Sequence, residues 1–261
     1  MMNDLFSLAG RTALITGGSR GIGRMIATGF LQHGARVYIS SRKADVCDKS
    51  AAELSALGTC LSLPADVSSV EGAKALADKF ASREEKLDIL VNNAGAHWVQ
   101  PFDDHSEKGW DKVLDLNLKA PFFLSQALIK QLRKAATHNR PAKIINVASI
   151  DGIVVNPLDT YSYAASKAGL IHLTRRMALR LIKDNIVVSG IAPGAFASDM
   201  NIIARDQADM VAARIPAKRI GRDEDMAGAA IYLASRAGDY VVGITIAVDG
   251  GVTLTGITME P

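Results

Sequence analysis

The stretch "TALITGGSRGIG", residues 12–23, decides the fold. "TALIT" reads as a buried strand, a glycine-rich turn follows at once, and Ile22, Met25, Ile26 and Phe30 then fall at helical spacing. Gly34 supplies a helix stop, and "RVYIS" at 36–40 reads as the next strand. Strand, helix and parallel strand in that order make one βαβ unit. Gly17, Gly21 and Gly23 let the backbone turn tightly, while the free N–H groups and the positive dipole end of the helix face an anion. The G-x-x-x-G-x-G spacing departs from the common G-x-G-x-x-G fingerprint and lacks the Lys-Ser/Thr of a P-loop. A purely structural glycine corner is the competing reading, and the strand-turn-helix context disfavours it.

The same alternation continues outward through "CLSLPADV", "LDILVNNAG", "AKIINVAS", "IVVSGIAPG" and "ITIAVDGG", separated mostly by segments of helical periodicity. No linker, low-complexity tract or repeat interrupts it, so residues 1–261 are expected to form a single α/β domain, a Rossmann-type doubly wound parallel sheet. With 261 residues and 48% hydrophobic content the chain can bury a sizeable core. A net charge of +3 with no basic block argues against nucleic acid as a partner. Cys47 and Cys60 are too few for a disulfide framework or a zinc site and read as small buried residues in a reducing compartment. His33, His97, His105, His138 and His172 show no ligand spacing, so no metal is expected. "MMNDLFSLAGR" lacks the pattern of a signal peptide, and no apolar run reaches the ~18 residues of a membrane span. The expectation is a cytoplasmic protein without a membrane partner.

The end of the second strand separates two cofactors, because a carboxylate there binds the ribose of NAD and repels a 2′-phosphate. The sequence reads "ISSRKAD": Ser41 holds the acidic position, Arg42 follows, and Arg20 lies in the glycine-rich turn. Two guanidiniums can bracket a 2′-phosphate, which points to NADP(H).

Chemistry is suggested by "YSYAASK", residues 161–167. On a helix Lys167 shares a face with Tyr163, four positions away, and not with Tyr161, six away. A tyrosine pKa near ~10 is far from neutral, so a nearby ammonium is expected to favour the phenolate. Hydride transfer to a ketone leaves an oxyanion that needs a proton and a hydrogen-bond donor, roles open to Tyr163 and Ser149.

Taken in order from Arg11 to Gly251, the motifs resemble the short-chain dehydrogenase/reductase family. They are "TGGSRGIG", "ADV" with Asp66, "NNAG" at 92–95, "LNL" around Asn117, Ser149, "YAASK" and "PG" at 193–194. The resemblance implies a catalytic tetrad of Asn117, Ser149, Tyr163 and Lys167, with Tyr163 the proton donor and Asn117 kinking its helix around a proton-relaying water. It also implies that Lys167 holds the nicotinamide ribose. The cofactor would further meet Gly17, Ser19, Arg20, Gly21, Ile22, Gly23, Ser41, Arg42, Asp66, Val67, Asn93, Ala94, Gly95, Tyr163, Pro193, Gly194, Phe196 and Ser198. Ser198 stands where many relatives carry threonine, and keeps the hydroxyl.

Within the family, "FSLAGRTALITGGSRGIG" and "SRKADVC" are similar to bacterial 3-oxoacyl-thioester reductases of the kind associated with rhamnolipid precursors. That implies NADPH-dependent reduction of a 3-oxoacyl thioester delivered on an acyl-carrier protein or coenzyme A. A sugar, polyol or steroid dehydrogenase would use the same tetrad. A non-catalytic dinucleotide sensor is the alternative of another class, opposed by the intact Tyr163, Lys167 and Ser149. Residues 194–216, rich in methionine, isoleucine and alanine, read either as a substrate lid or as an ordinary surface helix pair. Tyr161 reads either as a substrate-mouth residue or as packing. Arg133, Lys134, Arg140, Arg175 and Arg176 are the candidates for docking an acidic carrier, although Asp184 stands where carrier-dependent relatives often have arginine. The resemblance implies a homotetramer or homodimer, with the tail "DGGVTLTGITMEP" completing the larger assembly.

Overall fold

The structure is a computed structural model that describes residues 4–255. The chain runs β1 (Thr12–Thr16), α1 (Gly21–Gln32), β2 (Arg36–Ser40), α2 (Ala44–Leu54), β3 (Cys60–Ser62), α3 (Val70–Ala81) and β4 (Ile89–Asn92). It continues through α4 (Glu107–Leu114), α5 (Ala120–Ala127), α6 (Ile129–Ala135), β5 (Ala142–Val147), α7 (Tyr161–Leu181) and β6 (Ile186–Pro193). The last part holds α8 (Ile202–Asp206), α9 (Ala208–Ala213), α10 (Asp223–Ala234), β7 (Thr245–Val248) and the short α11 (Val252–Thr255). Residues 256–261 of the tail and the first three residues of the N-terminal stretch lie outside the described residues.

The seven strands form one sheet in the order β3-β2-β1-β4-β5-β6-β7, and every neighbouring pair is parallel. Strands β4, β5 and β6 are buried along their whole length, as expected of a parallel sheet covered by helices on both faces. Alternation along β1 divides the core. Ala13 and Ile15 face a layer with Ile26 and Phe30 of α1, Ala51 of α2 and Met226 of α10. Leu14 faces the opposite layer, with Phe80 of α3, Leu124 of α5 and Met177 of α7. Cys47 and Cys60 are free and buried in the first layer, and burial pushes the Cys60 thiol up to about 11.

From β1 the chain proceeds to β2 and β3 on one side, then returns to place β4 on the other. The two helices that follow β1 and β4 therefore diverge, and a crevice opens at the carboxyl ends of those strands. Most of what the sequence marks as site-forming follows a strand: the glycine-rich turn after β1, Ser41 after β2, Asp66 after β3, Asn93 after β4, Ser149 after β5 and Gly194 after β6, while Asn117, Tyr163 and Lys167 lie on helical segments. Parallel pairing puts all of the strand-end groups at one edge of the sheet.

Candidate active site

Helices α3 and α4 begin with serine caps, Ser69 accepting from the Gly72 N–H at 3.0 Å and Ser106 from the Gly109 N–H at 3.2 Å. Helix α1 begins after Arg20 with no side-chain cap. Its first-turn donors are thus left to the crevice. Gly17 holds φ +66°, where a Cβ would sit 2.7 Å from Asn93 Nδ2, and a Cβ on Gly23 would collide with the Gly17 carbonyl. The turn is braced from β4: Asn93 Nδ2 donates to the Thr16 carbonyl at 2.8 Å and the Gly17 carbonyl at 3.2 Å. Thr16 Oγ1 in turn accepts from the N–H groups of Asn93 and Ala94, each at 3.0 Å. An uncapped helix start in a backbone cradle closed to side chains fits a dinucleotide diphosphate.

The loops beyond the turn are placed for the adenosine half. Ser41 and the exposed Arg42 follow β2, and the Ser41 carbonyl accepts from the Ala65 N–H at 3.1 Å, which draws the β3 end toward them. Asp66 accepts from the Ser68 N–H at 3.0 Å, and Val67 beside it is buried. Ser19 is buried, and its carbonyl accepts from Ser50 at 3.1 Å. Ile22, half-buried, packs onto the core layer under α1. Arg20 reaches out of the turn to Asp199 at 2.7 Å, and Arg205 holds the other oxygen of Asp199 at 3.0 Å.

Tyr163 and Lys167 lie one turn apart on α7, with the Lys167 ammonium 5.6 Å from the Tyr163 ring centre. Lys167 is 4% exposed and donates to the Val147 carbonyl at 2.8 Å, which fixes it at the end of β5. Ser149, two residues past that strand, is buried and close enough to the phenol to lower its pKa. Asn117 sits in a π-helical turn, Asp115–Lys119, where the Ala120 N–H donates to the Asp115 carbonyl five residues back. Pro121 has no N–H to offer the Asn117 carbonyl, so the regular helical ladder fails at this residue. Gly95 completes the floor: a Cβ there would lie 3.3 Å from Asn117 Oδ1 and 3.8 Å from Lys167 Nζ. The structure therefore brings Asn117, Ser149, Tyr163 and Lys167 to one place.

The electrostatics differ from the sequence expectation in one respect. Burial pushes the Tyr163 phenol up to about 12, the nearby Ser149 hydroxyl opposes the rise, and the Asp151 carboxylate adds to it. Lys167 is held down to about 8 by burial, with Asp151 working the other way. The lysine does not lower the tyrosine value because, at about 8, it is itself neutral before the phenol ionises, which leaves desolvation of the phenolate to set that value.

Beyond β6, the Gly194 N–H donates to the Val248 carbonyl at 2.9 Å, so Pro193 and Gly194 lie against the end of β7. Ser198 accepts from the Asn201 N–H at 3.1 Å and lies close to Gly21, where an added Cβ would be 3.4 Å from the Ser198 Cβ. Phe196 is 2% exposed and its ring packs against Gly221 in the core, so its side chain faces inward rather than toward the crevice. A cavity of about 250 Å³ is lined by Phe196, Ile215, Ala217, Val248 and Gly250 and includes none of the tetrad.

Sequence reasoning missed a buried polar chain behind the tetrad. Asn92 donates to Asn146 at 2.9 Å, Asn146 to Thr174 at 2.9 Å, and Asn117 to Ser166 at 3.0 Å. It also passed over Asp151. The only signal was polarity inside otherwise apolar runs, as in "IINVAS", which does not identify a partner.

A family model described as Enoyl-(Acyl carrier protein) reductase matches residues 17–253. With that match and the relatives below, the chain belongs to the short-chain dehydrogenase/reductase family. It is 46% identical over 256 residues to the rhamnolipids biosynthesis 3-oxoacyl-[acyl-carrier-protein] reductase of Pseudomonas aeruginosa, covering 97% of this chain and 100% of that protein. The solved Pseudomonas aeruginosa RhlG/NADP active-site complex is similar at 46% identity and TM-score 0.93, over 96% of this chain and 99% of that one. Gluconate 5-dehydrogenase of Gluconobacter oxydans is 35% identical over 258 residues, covering 97% of this chain and 98% of that protein.

Proposed function

We propose that the protein reduces the 3-oxo group of an acyl thioester to a hydroxyl group, with NADPH as the reductant. The observation that carries the substrate class is the apolar surface beside the site. Ile153, Val155 and Leu158 are exposed on the segment that leads into α7, and Phe102, exposed on the loop between β4 and α4, packs edge-on to Tyr161 with ring centres 5.6 Å apart. An acyl chain gains from such a surface, whereas a polyol needs a lining of hydrogen-bond partners. The similarity to the Pseudomonas reductase supports the same choice. A sugar-acid dehydrogenase is the second reading, supported by the similarity to gluconate 5-dehydrogenase.

Bound NADPH supplies the hydride. Ser149 holds the carbonyl oxygen, and Tyr163, kept protonated by burial, donates a proton as negative charge develops there. Lys167 then faces the phenolate across the 5.6 Å between ammonium and ring, and Asn117 ties α7 to the loop after β4. The first turn of α1 holds the diphosphate, and Arg42 with Arg20 holds the 2′-phosphate. Residues 194–216 act as the lid. Its helices α8 and α9 expose Ile202, Ile203 and Met210, and the Arg20–Asp199 pair joins the lid to the glycine-rich turn. Tyr161 borders the mouth, its hydroxyl donating to Asp159 at 2.7 Å.

The protein is assigned to the cytoplasm, and among the described residues no helix is long and apolar enough to cross a membrane. It is assigned a homodimeric or homotetrameric state, supported by a groove of about 380 Å³ in which Phe122, Ile129, Leu173 and Leu181 line one surface. Of the candidates for meeting a carrier protein, Arg133 is paired with Asp184 at 2.8 Å and Arg140 with Asp88 at 3.6 Å, whereas Arg175 and Arg176 are exposed on α7. A panel of 3-oxoacyl thioesters, keto sugars and ketosteroids assayed with NADPH and NADH tests the reading. The highest kcat/KM is expected for a 3-oxoacyl thioester with NADPH, and a keto sugar in that place overturns it.

A further inference from the structure

Asp151 has no part in the reaction as written, yet it stands at its centre. The 3-10 turn Ile150–Gly152 rests directly on α7: a Cβ at Gly152 would lie 2.6 Å from the Lys167 carbonyl carbon and 2.7 Å from the Ala168 nitrogen. That contact sets the turn against the helix at the catalytic lysine and leaves Asp151 between Ser149 and α7. The Asp151 N–H donates to Ser149 Oγ at 3.2 Å, so its backbone also positions the hydroxyl that meets the carbonyl oxygen. Its side chain is half-buried, with Asn156 nearby. Burial raises its pKa, while Asn156 and the Lys167 ammonium hold it toward the anion. Among the described residues it is the one carboxylate whose charge acts on both Tyr163 and Lys167.

A fixed negative charge in a partly desolvated site bears strongly on the charge of whatever enters. A neutral ester or thioester brings none to the carboxyl carbon two positions from the reacting centre. A free acid brings a second carboxylate, and two anions at short range in such a medium repel. We propose that Asp151 is a specificity-determining residue that rejects substrates bearing a free carboxylate near the carbonyl and so confines the site to neutral 3-oxoacyl esters and thioesters. The inference rests on the reading of the protein as a 3-oxoacyl reductase. It separates this site from one built to take sugar acids.

Acetoacetate and ethyl acetoacetate carry the same ketone and differ in charge at the adjoining carboxyl. Their kcat/KM values are to be compared in the unmutated protein, Asp151→Asn and Asp151→Glu. The unmutated protein is expected to favour the ester by about tenfold or more, Asp151→Asn to reduce that ratio by about tenfold, and Asp151→Glu to retain the preference. The ratio is the readout because damage to Ser149 positioning lowers both rates together and leaves it unchanged. An unchanged ratio in Asp151→Asn, or equal use of acid and ester by the unmutated protein, overturns the assignment. A second pair, 2-ketogluconate and D-fructose, which share a ketone at C2 and differ in charge at the neighbouring carbon, separates the two readings. Activity confined to that pair overturns the 3-oxoacyl function, and the same ratio test there decides the role of Asp151: a fall in Asp151→Asn upholds it, and an unchanged ratio refutes it.

Discussion

Asn117 holds both backbone polar atoms of Ala96: its Oδ1 accepts from the Ala96 N–H at 2.8 Å, and its Nδ2 donates to the Ala96 carbonyl at 2.9 Å. The same amide reaches Ser166 at 3.0 Å, and Ser166 donates to the Tyr163 carbonyl at 2.7 Å. One side chain thus joins the π-helical turn, the loop after β4 and the helix that carries Tyr163 and Lys167. Asn117→Ala removes the partner from both Ala96 groups in a partly buried place, where each unsatisfied group costs toward the lower end of about 1–3 kcal/mol. The expected outcome is a loss of about 2 kcal/mol or more in denaturant unfolding, together with a fall in kcat. An unchanged unfolding midpoint refutes the clamp.

Tyr163→Phe is expected to lower the reduction rate by about 10²–10⁴-fold, the usual contribution of a positioned acid, while NADPH binding survives. Tyr161→Phe should change it by no more than about threefold, since its hydroxyl is occupied by Asp159 and supplies no proton. Steady-state rates beside a cofactor titration by fluorescence check both. If the Tyr161 variant is the more damaged, the assignment of roles on α7 fails.

Arg42 is exposed on the loop after β2, whereas Arg20 is already paired with Asp199. Arg42→Ala is therefore expected to raise the NADPH KM by about tenfold to a hundredfold, the worth of one charge-assisted contact, with little effect on NADH. Asp199→Ala frees the Arg20 guanidinium and should lower the NADPH KM by about two- to fivefold, the range of an exposed ion pair. A protein that uses NADH as well as NADPH before any mutation refutes the phosphate role of both arginines.

The strands were legible because burial on both faces leaves long apolar runs, and the quoted "TALIT" and "RVYIS" coincide with β1 and β2. Tyr163 and Lys167 could be paired from spacing because a helix is a local object. The buried chain Asn92–Asn146–Thr174 could not, since Asn146 and Thr174 meet only after β5 and α7 have packed. The bracing of the glycine-rich turn by Asn93 is of the same kind: residues on separate strands are joined by sheet order, which no local period records. The rise in the Tyr163 pKa was hidden for a related reason. Proximity to lysine can be read from the sequence, but desolvation depends on everything packed around the hydroxyl.

At the amino end of β5, far along the strand from Ser149, Lys143 is 1% exposed and pairs with Asp239 at 2.7 Å without good hydrogen-bond alignment. Burial lowers the Lys143 pKa and Asp239 opposes that shift. Asp239→Ala leaves a buried ammonium uncompensated and should cost about 2 kcal/mol, less than for a fully buried pair because Asp239 is partly exposed. In a chain of this size that corresponds to a fall of about 4–8 °C in Tm. Lys143→Met, which removes the charge and keeps the bulk, should cost much less. Equal losses for the two variants rule out an uncompensated charge as the cause.

Lys167 predicts a pH dependence whose sign can be worked out for both activity and stability. Burial lowers its pKa from 10.5 to about 8, so the ammonium that supports the phenolate is present below pH 8 and lost above it. Reduction should fall as pH rises through about 8, while Tyr163, at about 12, stays protonated across that range. The same shift opposes folding. Between pH 8 and 10.5 the unfolded chain binds more protons at this lysine than the folded one, so the lysine's contribution to stability rises with pH across that window. Below pH 8 it is least favourable, by about 3 kcal/mol relative to the deprotonated group. Lys167→Met should therefore be more stable than the unmutated protein at pH 7, with the advantage shrinking as pH climbs from 8 toward 10.5. The loss of the bond to the Val147 carbonyl reduces that advantage by about 1 kcal/mol at every pH and leaves its slope intact. Asp151→Asn removes the carboxylate that raises the lysine pKa and should move the activity limb below pH 8. Denaturant unfolding of Lys167→Met from pH 6 to 10, beside rate profiles of the unmutated protein and Asp151→Asn, checks all three. A stability difference that does not vary with pH, or an activity limb that Asp151→Asn leaves in place, means that a group other than Lys167 sets the profile.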